Sequence, residues 1–138
     1  QLPALKQSSR HGASRGAYIL TQGKDLLLIA TGSEVFIAIA CAELLARQHD
    51  IHAQVVSMPC WELFAEQDRD YQEHVLPPQL KKRVAIEAGV ALGWERYVGM
   101  HGLCISIDEY GRSGKANDLA KFYGFTPEQI TAKILAWL

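Results

Sequence analysis

Thr31-Gly32-Ser33-Glu34 directly follows the apolar run Leu26-Leu27-Leu28-Ile29-Ala30, and its residue types suit anion chemistry. A strand that feeds a helix presents unpaired N–H groups at the positive end of the helix dipole, where a phosphate or carboxylate can sit. Gly32 permits the sharp turn. The Ser33 hydroxyl can either cap the helix or join its backbone in holding an anion. The Walker pattern and the GxGxxG pattern are both absent. Glu34 already places a negative charge in the first helical turn, against a phosphate. Capping by Ser33 is therefore the favoured reading, and Gly32 with Ser33 is the candidate anion site.

Two other places carry ionisable groups at a strand end. Asp108-Glu109-Tyr110-Gly111-Arg112-Ser113-Gly114-Lys115 combines acids, bases and glycines. It can act as a binding loop, but charged loops are usually solvated, and that is the preferred reading. Glu87 ends an apolar strand and is followed by Ala88-Gly89. A partly buried carboxylate there can serve acid–base chemistry. It can equally hold two loops together by accepting backbone N–H bonds, and the structural role is favoured.

The histidines His11, His49, His52, His74 and His101 form no HxxH, no HExxH and no relay with a Ser or Cys. Cys60 lies between Pro59 and Trp61, with no nearby histidine to activate it. No catalytic, cofactor-binding or metal-binding residue is assigned.

The elements that position these groups alternate along the chain. Strands are expected at 17–21, 26–30, 51–57, 83–87 and 103–107. The run 26–30 lacks polar alternation, as strands covered on both faces do. Helices are expected at 34–48, 93–99 and 115–123, with a helical turn at 60–64 and a surface helix or turn at 65–74. Tyr71 and Val75 should face inward. A last helix begins at Thr126-Pro127, where Thr caps, Pro takes the first helical position and Gln129 completes a capping box. The tight turn 22–25 suggests that the first two strands are antiparallel neighbours or lie close together. The pattern predicts a three-layer α/β/α domain with a mostly parallel sheet. Residues 1–15 read as a linker or entering arm, and 16–138 as the domain.

Composition bounds the function. A chain of 138 residues is one domain in size. Its net charge of -1 argues against a nucleic-acid backbone as partner. No apolar run approaches the roughly 20 residues that span a bilayer, which argues against membrane insertion. Gln1-Leu2-Pro3-Ala4-Leu5-Lys6 lacks the apolar region of a signal peptide. The three cysteines, Cys41, Cys60 and Cys104, are widely spaced and lack a CxxC, so zinc is not expected and a reducing, cytoplasmic setting is. The missing initial methionine is expected of a piece of a longer protein or of a processed chain.

Several segments in order add what periodicity cannot. They are Ile29-Ala30-Thr31-Gly32-Ser33-Glu34-Val35, Val55-Val56-Ser57-Met58-Pro59, Trp61-Glu62-Leu63-Phe64, Gln67-Asp68, Tyr71, Val75-Leu76-Pro77 and Val84-Ala85-Ile86-Glu87-Ala88-Gly89. Trp94 with Tyr97-Val98-Gly99, Tyr110-Gly111 with Ser113, and Gly124-Phe125-Thr126 complete the set. Together they resemble the C-terminal domain of transketolase, from about Leu2 to Leu138. The ordered set separates it from deoxyxylulose-phosphate synthase and the beta subunits of two-oxoacid dehydrogenases.

The resemblance implies a transferase of the pentose phosphate pathway that moves a two-carbon ketol unit between sugar phosphates. It implies thiamine diphosphate and a divalent metal, Mg or Ca, held by the first two of three domains at a dimer interface. The third domain, the one resembled, supplies no ligand to either. Its implied fold is a five-stranded mixed sheet with one antiparallel strand. The implied partners are the other two domains and the dimer mate. The family's phosphate-binding arginine precedes a segment like Gln1-Leu2-Pro3, so the resemblance places it ahead of this chain. Tyr110 stands where Phe is common, and Lys115 where Pro is frequent. Two other functions stay in view. One is a regulatory module binding an anion or nucleotide at Gly32 and Ser33. The other is a protein-docking domain, as in dehydrogenase beta subunits, with an exposed apolar patch around Trp61 or Trp94.

Overall fold

The structure is a computed structural model that describes residues 13–87, 93–106 and 126–138. A five-stranded sheet runs through it in the order β1-β3-β2-β4-β5. The strands are β1 (Tyr18–Thr21), β2 (Leu26–Ala30), β3 (Ala53–Ser57), β4 (Arg83–Glu87) and β5 (Leu103–Ser106). The helices are α1 (Glu34–His49), α2 (Trp61–Ala65), α3 (Arg69–Val75), α4 (Glu95–Val98) and α5 (Pro127–Trp137). β2 pairs in parallel with β3 and β4, β4 pairs in parallel with β5, and β1 alone runs antiparallel. The α/β fold with a mixed, mostly parallel sheet is the one expected.

β2 is buried at every position. Its side chains alternate between two cores, as the pleat requires. Leu26, Leu28 and Ala30 join Ala38, Cys41 and Leu45 of α1 and Ile130 and Ile134 of α5. Leu27 and Ile29 point the other way, to Phe64, Val75, Trp94 and Tyr97 on α2, α3 and around α4. The sheet is thus sandwiched, and a polar residue anywhere in β2 would enter one core or the other.

Of the two arrangements expected from the 22–25 turn, closeness in the sheet holds and antiparallel pairing does not. β1 and β2 are not paired neighbours, because β3 lies between them. The 22–25 loop crosses the start of β3 instead of closing a hairpin. Asp25 N donates to His52 O at 2.9 Å, and His52 N donates to Asp25 Oδ2 at 2.7 Å. Gly23 lies so close to β3 that an added Cβ would stand 2.5 Å from the Ala53 carbonyl carbon.

The chain enters along the α2–α3 side. Gly16 O accepts from Cys60 N at 3.0 Å, and Ala17 O accepts from the Tyr71 hydroxyl at 2.7 Å. The Arg15 guanidinium lies 4.6 Å from the Tyr71 ring centre. Two helices among the described residues start on side-chain caps. Asp68 Oδ1 accepts from Tyr71 N at 2.8 Å for α3. For α5, Thr126 Oγ1 accepts from Gln129 N at 3.3 Å and donates to Gln129 Oε1 at 2.8 Å. The cap predicted at Thr126 is therefore present.

Candidate functional site

Parallel strands β2, β3, β4 and β5 all end on one edge of the sheet, where α/β domains hold ligands. The turn from β2 into α1 presents Gly32 and Ser33 there, both exposed. Gly32 has φ +61°, the left-handed region that glycine enters without a Cβ clash. Ser33 does not cap α1. Its backbone is helical (φ -69°, ψ -20°), whereas an N-cap side chain reaches back to the helix from an extended backbone. Its hydroxyl instead donates to Glu34 Oε1 at 3.2 Å.

The backbone of this turn is largely turned on itself. Glu34 N donates to Thr31 O at 3.2 Å, Val35 N to Gly32 O at 3.3 Å and Phe36 N to Ser33 O at 3.3 Å. Glu34 Oε2 lies 3.7 Å from where a Cβ on Gly32 would stand. The candidate anion residues are brought together, with a carboxylate beside them.

The next strand ends are packed. Met58 N donates to Ala30 O at 2.9 Å, locking the exits of β2 and β3 together. Trp61 meets Trp94 edge-on at 4.7 Å and Tyr97 at 5.5 Å between ring centres. Trp94 is 2% exposed and Trp61 is half-buried. The tryptophans therefore form an aromatic core, not the exposed apolar patch that a docking role would need. Glu87 is half-buried at the end of β4, in register with Ser106 of β5. The 108–115 loop, Ala88-Gly89 and the expected helix at 115–123 lie outside the described residues, as does His11.

His49, His52, His74 and His101 are exposed, and His52 Nε2 sits 3.0 Å from Asp50 Oδ1. Among the described residues no three His, Cys, Asp or Glu side chains gather as metal ligands do. Cys41 is buried, its Sγ 3.5 Å from Pro127 O, and burial pushes its thiol up to about 11. Burial, with the Glu95 charge adding to it, also raises Cys104. Neither thiol is prepared as a nucleophile, because the reactive form is the thiolate. No helix among the described residues is long and apolar enough to cross a membrane.

The strongest polar cluster was not picked out from the sequence. Arg83, the first residue of β4, donates from Nε to Leu80 O at 2.8 Å and from Nη1 to Tyr97 O at 2.8 Å. Its Nη2 donates to Leu76 O at 3.3 Å and Pro77 O at 2.9 Å. Burial lowers its pKa. Gln72 does similar work nearby, its Nε2 lying within 3.2 Å of the carbonyls of Phe64, Ala65 and Gln67. The available signal was a lone cation opening the apolar strand Val84-Ala85-Ile86.

Comparison with known proteins places this geometry in context. Residues 16–126 match the family model described as the transketolase-like TK C-terminal domain. The chain is similar to a transketolase of Aquifex aeolicus, 47% identical over 133 residues, which cover 94% of this chain and 19% of that protein. It is 42% identical to the chloroplastic transketolase of Solanum tuberosum, over 96% of this chain and 18% of that one. A solved transketolase from Pichia stipitis in complex with sedoheptulose-7-phosphate superposes with a TM-score of 0.82 at 34% identity, over 91% of this chain and 18% of that chain. The chain thus spans about a fifth of the length of the curated relatives it matches.

Proposed function

The chain belongs to the transketolase C-terminal-domain family, and from that membership we propose that it is the third, non-catalytic domain of a transketolase. Its work is to pack on the other two domains and to support the dimer. The whole enzyme transfers a two-carbon ketol unit between sugar phosphates, as in the pentose phosphate pathway. Thiamine diphosphate and a divalent metal, Mg or Ca, supply the chemistry from the other domains and not from this one. The setting is cytoplasmic, in keeping with three cysteines left as free thiols.

One observation carries this reading: nearly the whole chain aligns with only about a fifth of each relative. The sugar-phosphate class is supported by the Pichia stipitis relative solved with sedoheptulose-7-phosphate. The self-bonded turn at Gly32 and Ser33 and the buried Trp94 favour a packing role over chemistry at this edge.

The test is calorimetry of the 138-residue chain with thiamine diphosphate and magnesium, beside a ketol-transfer assay. The expected result is no binding and no turnover from this chain, with both present in the protein at its native length. Micromolar cofactor binding to this chain would overturn the proposal.

A further inference from the structure

A cleft of about 370 Å³ opens beside α2, α3 and α4, away from the Gly32–Ser33 turn. It is lined by Arg83, Arg96, Gln72 and Glu73, together with Phe64 and Tyr97, whose ring centres are 5.9 Å apart. Its volume falls at the lower end of small-molecule sites, which run from about 300 to 1,000 Å³.

The charges in it do not balance. Arg83 is half-buried, and its four bonds all go to neutral carbonyls. Among the described residues no carboxylate comes within ion-pair distance of Arg83 or Arg96. Arg96 is exposed and rests on the Tyr97 ring at 5.5 Å. Among the described residues Glu73 is the one carboxylate in the lining, and the cation paired with it is Arg69, at 4.0 Å outside the cleft. Two guanidinium groups therefore face one carboxylate. A guanidinium withdrawn from water is usually paired, and its planar fork matches oxyanion geometry. Gln72 is held in place by its three carbonyl contacts, so that wall is rigid before any ligand arrives.

We propose that this cleft binds the phosphate group of a small soluble molecule, with Arg96 as the direct fork and Arg83 as the fixed positive charge behind it. Glu73 opposes the ligand and sets its affinity. The site is separate from Gly32 and Ser33 and does not depend on the domain's catalytic or non-catalytic standing.

The probe is inorganic phosphate, titrated by calorimetry into the protein at its native length, with ionic strength held constant by sodium chloride. Arg96→Gln and Glu73→Gln are compared with the parent, both at exposed positions. Arg96→Gln should weaken binding about tenfold, since it removes a charge-assisted fork. Glu73→Gln should tighten it about threefold by removing a like charge. Either variant alone decides the matter if the other fails to fold. Phosphate affinity that ignores both substitutions means that phosphate binds elsewhere, and it overturns the proposal. So does the absence of any phosphate-specific heat.

Discussion

Arg83 Nη1 donates to the Tyr97 carbonyl at 2.8 Å, tying the first residue of β4 to the helix that follows it. The same guanidinium bonds Leu76, Pro77 and Leu80, the segment that leads into β4. One side chain thus fixes the approach to the strand and the helix after it. A lysine could not copy this, because its ammonium is a point donor without a planar fork.

Arg83→Ala should cost about 3 kcal/mol, since it leaves several half-buried carbonyls without a donor. Arg83→Lys should fall between the two. Urea unfolding at unchanged slope is the measurement. A loss below about 0.5 kcal/mol for the alanine variant would mean that water replaces the guanidinium freely.

Ser33→Ala should be nearly neutral, within about 0.5 kcal/mol, because the hydroxyl bonds only the exposed Glu34 carboxylate. Asp68→Ala and Thr126→Ala should each cost about 1 kcal/mol, since both side chains cap a helix. Thermal unfolding of the three variants ranks them. Equal losses at all three positions would restore Ser33 as a cap.

These two cases mark what was readable from the sequence. β2 was legible because five apolar residues in a row, bounded by turn residues and too few for a helix, suit a strand covered on both sides, and both cores lie where that demands. The helix starting at Glu34 was legible from its apolar content, but the Ser33 cap was not. Residue type allows a cap, and the backbone angle at Ser33 decides it. The partner of β1 was hidden for a geometric reason. Four extended residues reach about 13 Å, enough to step over one strand to the next-but-one, about 10 Å away. Arg83 was hidden because its partners are carbonyls, which no residue type announces. Whether an exposed patch lies around Trp61 or Trp94, as the alternative docking role needs, was not legible, because Trp94 is buried against Trp61 by a contact between segments far apart in the chain.

Gly23→Ala should be more damaging than Gly32→Ala, although only Gly32 has a positive φ. At Gly23 the new Cβ would meet His52 O and the Ala53 carbonyl carbon at 2.5 Å, and backbone cannot step aside cheaply. The 22–25 loop would lift from β3, at a cost of about 2–3 kcal/mol. At Gly32 the only neighbour among the described residues is the flexible Glu34 carboxylate at 3.7 Å, so the cost is left-handed strain of about 1 kcal/mol. Urea midpoints of the two variants give the order, and the reverse order would show that the loop does not press on β3.

Cys41 gives a pH dependence whose sign follows from its burial. Its thiol is raised from 9.0 to about 11 in the folded protein. Below the unfolded value both states keep the proton, and the contribution is constant. As pH rises through this window, the unfolded thiol ionises while the folded one does not, so stability falls. The loss over the window is about 2 kcal/mol. Cys41→Ala removes this dependence and costs about 1 kcal/mol at neutral pH for the space left by the sulfur. Tyr71 and Cys104 are also raised, but both proteins share them, so the difference isolates Cys41. Under reducing conditions the alanine variant should be the less stable at about pH 7 and should draw level or lead by about pH 11. A gap that stays constant across that range would mean that the Cys41 thiol ionises as readily folded as unfolded, and the packing of α1 against α5 around it would have to be open to water.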